Sequence, residues 1–165
     1  MENKFDRSQK IVLLMIIFGV LCRIIPHPPN FSPITAIALF GGHNLSDRRV
    51  AFSLPLVILF FSDLFLGIFP ISLFVYAGFL TIVYLGTKIK SIGFGNIILS
   101  SLIFFIISNF GVWILGYPRN IDGLIQCYTL AIPFFGYSIA GDLFFGYLFK
   151  FSFIKISSIF PKSIN

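Results

Sequence analysis

The sequence predicts an all-α fold: a polytopic membrane helical bundle with six transmembrane helices, forming one domain over residues 1–165. Three observations carry this expectation. Hydrophobic residues make up 57% of the chain and charged residues 11%, whereas soluble domains run at roughly 25% charged. Mean hydropathy is +0.96, and so little charge cannot cover a water-exposed globule of this size. The charges also stand in short clusters between long apolar runs, as topology signals do. Disorder requires low hydrophobicity, and a disulfide scaffold requires more than the 2 cysteines present. The net charge of +6 would suggest nucleic acid in a soluble protein, but no basic cluster is interleaved with exposed aromatics. The expected partner is the lipid bilayer, with no nucleic acid.

A bilayer core of roughly 30 Å takes about 20 helical residues per crossing. The first segment, 11–25, is ended by Pro26, Pro28 and Pro29, which remove backbone donors and disfavour helix before them. Lys4, Arg7 and Lys10 precede it as in a signal peptide, but Gly19-Val20-Leu21-Cys22-Arg23 lacks a small residue just before a cleavage point, so a retained helix is expected. The second segment, 34–45, opens with Ser32 and Pro33, read as an N-cap and a proline at the first helical position. It spans only about 20 Å, so either the Pro-rich stretch before it dips into the membrane or the helix is broken. The third, 50–68, is capped by Ser46 and Asp47, carries Pro55 inside and has Asp63 near its end. The fourth runs over 70–86 from Pro70, before Lys88 and Lys90; the fifth covers 96–115; the sixth covers 124–149 with Pro133 at its middle.

With a cytoplasmic N-terminus and six crossings, Lys4, Arg7, Lys10, Arg48, Arg49, Lys88, Lys90, Lys150, Lys155 and Lys162 fall inside. That is ten of the 12 basic residues, leaving Arg23 and Arg119 outside. Removing the short second helix would reverse every later loop and spoil the asymmetry, so both termini are expected in the cytoplasm.

Polar groups at membrane depth require a partner or a wet cavity. Asp63 and Arg23 lie near the outer ends of their helices, where they form either a structural ion pair or the edge of a ligand cavity. Asn109 and Trp113, four apart on one face, offer an amide beside a large ring, suited to a ligand or to helix packing at the interface. Arg119 is the basic residue of the loop between the last two helices, and Asp122 is placed to cap the sixth. Gln126, Thr129, Pro133 and Tyr137 fall near one stripe, where Pro133 frees the carbonyl of Thr129. Asp142 points away from that stripe and is expected to contact Asn96, Lys88 or a partner protein. Cys22 and Cys127 are read as packing residues or a disulfide near the outer side, and His27 and His43 fall on opposite sides. No nucleophile triad, phosphate loop or metal-ligand spacing stands in the sequence, so no enzyme, metal or cofactor is expected.

The motifs Pro29-Asn30-Phe31-Ser32-Pro33-Ile34-Thr35, Ser62-Asp63, Ser108-Asn109-Phe110-Gly111-Val112-Trp113, Tyr117-Pro118, Cys127-Tyr128, Ala131-Ile132-Pro133-Phe134-Phe135 and Gly141-Asp142 resemble a family of small bacterial membrane proteins of unknown function, usually described as transport proteins. In length, helix number and a Pro-rich loop before a short second helix, the chain is also similar to the substrate-binding components of energy-coupling factor transporters. That resemblance implies a bacterial inner-membrane protein that takes a small micronutrient from outside and docks on a transmembrane coupling subunit with ATPases. Such components often carry small residues four apart on helix 1; this chain offers Gly19 there, with Ala38 and Gly42 on the second helix the nearest substitute.

Together these readings place a small-molecule substrate between the outer halves of helices 5 and 6. Asn109 and Gln126 orient it, Trp113 stacks on it, Arg119 stands at the mouth, Asp63 and Tyr137 are nearby, and the loop 27–32 with Asn30 closes above. The alternative is an assembly protein that recruits a partner in the bilayer and binds no small molecule. The two separate on whether Asn109, Gln126 and Asp63 converge.

Overall fold

The computed structural model of the protein describes the backbone over residues 7–159 and side chains over residues 11–152. Of the twelve basic residues, Lys4 and Lys162 lie outside the described residues, as do the side chains of Arg7, Lys10 and Lys155. The described chain is helical: α1 (Arg7–Ile24), α2 (Ile34–Asn44), α3 (Arg48–Leu66), α4 (Ser72–Lys88), α5 (Phe94–Gly116) and α6 (Ile121–Ile159). Three segments are long and apolar enough to cross a membrane, Arg48–Leu66, Phe94–Gly116 and Ile121–Ser152, while Ile11–Ile24 and Ser72–Lys88 are shorter apolar helices.

The short helix α2 is the axis of the bundle. It packs against each of the other five, most extensively α4, and every residue from Ile34 to Gly42 is buried. Around it, α1 packs on α3, α3 on α4, α4 on α5 and α5 on α6. Phe18 of α1 closes the ring on α6 through edge contacts with Phe145 and Phe149 at 6.0 Å. Directions alternate along the chain. Gly19 meets Ile58 and Arg23 meets Asp63, so α1 and α3 run together. Phe40 meets Phe149 and Thr35 reaches Asp142, so α2 runs with α6. Ser101 meets Asp142 while Ile97 meets Gly146, so α5 opposes α6.

The crossing of α2 and α4 depends on two glycines. A Cβ on Gly42 would stand 2.2 Å from the Val83 carbonyl oxygen, and one on Gly86 2.5 Å from that of Leu39. The two backbones touch, an approach that small residues permit between apolar helices. Many outward side chains are large and apolar: Leu14, Phe65, Leu73, Ile121 and Phe151 are exposed.

Local signals explain most helix ends, with corrections. Asp47 caps α3 as expected, accepting from the Arg49 amide at 2.8 Å. Ser32 does not cap α2; the N-cap position is Pro33, with no side-chain bond, and its carbonyl accepts from Ile37 at 2.8 Å. Asp122 does not cap α6 either; Asn120 Oδ1 accepts from the Gly123 amide at 2.8 Å, leaving Asp122 in the first turn. At the other end of α2, Arg48 Nη1 donates to the Gly42 carbonyl at 3.0 Å, neutralising helix-terminal acceptors. Helix α6 passes Lys150 and runs to Ile159, because lysine is a good helix former.

Candidate functional site

The segment between α1 and α2 supplies the lid of the site. Three prolines forbid helix here, and the chain turns instead through short bonds, Phe31 N to Pro28 O at 3.0 Å and Ser32 N to Asn30 O at 3.1 Å. Asn30 adopts φ 62°, a left-handed conformation that asparagine tolerates better than most residues. The turn drives Phe31 well inside α6, where its ring meets Phe145 at 5.6 Å and Phe144 at 6.0 Å. Gly141 makes room: a Cβ there would stand 3.0 Å from the Phe31 Cα. The loop thus packs against α6 through Phe31, and α2 runs unbroken from Ile34 to Asn44.

Beneath this loop lies a cavity of about 240 Å³. Its polar wall is Arg23, His27, Asn30, Ser32, Thr35 and Ser138, and its apolar wall is Ile34, Leu59, Leu66, Val75, Phe79 and Phe104. All six helices and the loop contribute. Phe79 and Phe104, both in this wall, stack on each other at 4.6 Å with planes 28° apart.

Arg23 and Asp63 form a bridge at this wall, Nη2 to Oδ1 at 2.8 Å, with the Asp63 side chain only 5% exposed. The Tyr76 hydroxyl donates to the other carboxylate oxygen at 2.8 Å. Asp63 thus has a cation and a donor, as a buried carboxylate requires. Arg23 is less well served, since its Nη1 is buried with no hydrogen-bond partner. Deeper in the bundle Asp142, 2% exposed, accepts from Ser101 Oγ at 2.6 Å, and Thr35 of the cavity wall reaches the same carboxylate. This replaces the expected contacts of Asp142: Asn96 instead donates to the Ser91 carbonyl at 2.8 Å, and Lys88 lies over the Tyr84 ring.

The residues expected to bind substrate separate. Asn30 lines the cavity and Asp63 sits behind its wall on Arg23. Asn109 Nδ2 donates to the Phe105 carbonyl of its own helix at 2.8 Å. Trp113 Nε1 donates to the Pro118 carbonyl at 3.0 Å and Arg119 Nε to that of Ile114 at 3.3 Å, so both close the turn between α5 and α6. Gln126 is exposed on α6 in a shallow groove with Asp122, Ile125, Thr129 and Leu130, and Tyr137 is 49% exposed. Asn109, Gln126 and Asp63 therefore face three different surroundings. Cys22 and Cys127 are free thiols, and Cys127 donates weakly to the Asn109 carbonyl at 3.5 Å.

Thr35, Tyr76, Ser101 and Ser138 escape the sequence reading. Tyr76 carries a signal in retrospect: it lies one turn into the helix that follows Asp63 across a short Gly- and Pro-containing connection. The hydroxyls of Thr35, Ser101 and Ser138 look like ordinary small packing residues until the helices are assembled.

Helices of alternating direction around a buried axial helix, with an ion pair beside a cavity, form an all-helical bundle in which three of the described helices are long and apolar enough to cross a membrane. The chain belongs to a family of unknown function (DUF6580), whose model matches residues 3–162. No curated protein and no solved structure matches it.

Proposed function

We propose that the protein is a multi-pass membrane protein with six crossings and both termini cytoplasmic, which binds a small micronutrient-like molecule from the outer side for uptake. Its place is the bacterial inner membrane. It is not an enzyme: its role is binding and release. In line with the architectural resemblance, a transmembrane coupling subunit with ATPases supplies the energy. The observation that carries this reading is the cavity beneath the loop 25–33, whose lining combines polar side chains with apolar ones and an aromatic pair, the composition of a small-molecule pocket. The binding position moves accordingly from Asn109, Trp113 and Gln126 to Arg23, Asn30, Thr35 and Ser138.

The test is purification from native membranes, followed by mass spectrometry of released small molecules and co-purifying proteins. Ser138→Phe fills the cavity from α6 and serves as the comparison. A small molecule held by the wild-type chain and absent from an equally well-expressed Ser138→Phe variant supports the reading. Identical small-molecule content in the two removes it.

One observation favours the assembly alternative. Asp122, Gln126 and Thr129 line an outward groove on α6, and a polar stripe toward lipid is costly unless another helix satisfies it. A protein that co-purifies with the wild-type chain and is lost on Gln126→Leu would favour it.

A further inference from the structure

The cavity wall is charge-balanced before anything enters. Arg23 brings one positive charge and Asp63 one negative, 2.8 Å apart, and the second Asp63 oxygen is taken by Tyr76. Each carboxylate oxygen has a partner, but the guanidinium is only partly served. A guanidinium carries five N–H donors and no acceptor, and Nη1 of Arg23 is buried without a partner. Leaving such a donor unsatisfied is costly, so the site is short of a hydrogen-bond acceptor, not of charge. Nη1 belongs to a side chain that already lines the cavity.

Size and shape narrow the occupant. An apolar cavity of about 150 Å³ accepts one benzene ring, so 240 Å³ leaves room for a ring with a short substituent. The stacked pair Phe79 and Phe104 lines the same space, so an aromatic ring finds aromatic partners there. His27 adds a complementary group: its Nδ1 lies 2.8 Å from the Pro28 carbonyl. A carbonyl only accepts, so Nδ1 carries the proton, and in the neutral ring Nε2 is left as an acceptor.

Resting on the reading of this cavity as a substrate site, we infer that its ligand is a small, uncharged, planar molecule whose carbonyl- or amide-type oxygen accepts from Arg23 while its ring lies along Phe79 and Phe104. An anionic ligand fits poorly. With Asp63 already matched to Arg23, a second carboxylate would bring negative charge that no other lysine or arginine of the lining compensates.

The experiment uses the full chain in detergent micelles, titrated calorimetrically with benzamide, benzoate and toluene: a neutral acceptor, an anion and a ring alone. Benzamide is expected to bind more tightly than either of the others. Arg23→Lys keeps a cation beside Asp63 but loses the guanidinium fork; it should weaken benzamide by about 5- to 150-fold, the loss of one buried hydrogen bond, and leave toluene unchanged. Benzoate binding as tightly as benzamide overturns the charge-balance requirement, and toluene binding as tightly overturns the need for an acceptor. Unchanged benzamide affinity in Arg23→Lys overturns the role of Arg23. Binding of none of the probes overturns this inference, whereas the substrate reading falls only if wild type and Ser138→Phe release the same small molecules. If Arg23→Lys does not fold, nitrogen-15 NMR of labelled arginine side chains in the wild-type protein decides: bound benzamide must shift the Arg23 Nη resonances, and unshifted resonances refute the contact.

Discussion

Arg23 and Asp63, on α1 and α3, meet through Nη2 and Oδ1 at 2.8 Å, joining two helices that the short α2 separates in sequence. Tyr76 brings α4 to the same carboxylate. Removing one member of a buried pair strands the other, at a cost of about 3 to 5 kcal/mol. Asp63→Asn should therefore sharply reduce folded yield in size-exclusion chromatography. Tyr76→Phe should cost only about 1 kcal/mol. The charge-swapped Arg23→Asp, Asp63→Arg double variant should recover part of the loss of the Asp63→Arg single variant. Wild-type yield from Asp63→Asn would show that the pair contributes nothing to folding.

Gly42→Ala and Gly86→Ala each press a methyl against backbone carbonyls that cannot move aside. Overpacking of this kind costs about 1 to 3 kcal/mol, read as a lowered Tm in detergent. Gly136→Ala is the control, since a Cβ there meets nothing within 4 Å, and its Tm should hold or rise slightly because alanine favours helix over glycine.

Topology is tested by single cysteines in a background lacking Cys22 and Cys127. A cysteine at Lys88 should be labelled from the cytoplasmic side and one at Asn120 from the outer side by a membrane-impermeant reagent. Labelling of the Lys88 position from outside would remove the six-crossing arrangement, and with it ligand access from the outer face.

Ser101 and Asp142 form the buried polar contact between α5 and α6. Ser101→Ala should destabilise by about 1 to 3 kcal/mol. In a double-mutant cycle with Asp142→Asn, thermal unfolding should show coupling well above the additivity error of about 0.5 kcal/mol. Additive losses would mean that the two residues act independently.

Charge clusters and prolines located all six helices because each is a local signal. Helix ends were less legible where neighbouring residues compete for the same capping position. Asn120 and Asp122 are both good caps, and only the backbone at Asn120 sets the geometry. The pairing of Arg23 with Asp63 was legible as one of two readings, since both are charges near the same end of neighbouring helices. Tyr76, Ser101 and Thr35 were not, because their partners come from helix packing across 13 residues for Tyr76 and 41 for Ser101. Asn109 and Trp113 share a face as the spacing implied, yet Asn109 bonds back to the carbonyl four residues earlier, as polar side chains in helices often do. Spacing shows which residues are neighbours but not which of their polar atoms are already engaged.

The enclosure of α2 bears on how the chain is made. Nine consecutive residues of this helix, Ile34 to Gly42, have no outward face, and their neighbours include α3, α4, α5 and α6, all synthesised later. At 11 residues, with a length of about 16 Å, α2 is too short to rest across a bilayer on its own. Its buried position can therefore be completed only after the helices that enclose it have been made. The two glycine contacts with α4 then fix its final depth, so the innermost helix of the protein is among the last to be seated.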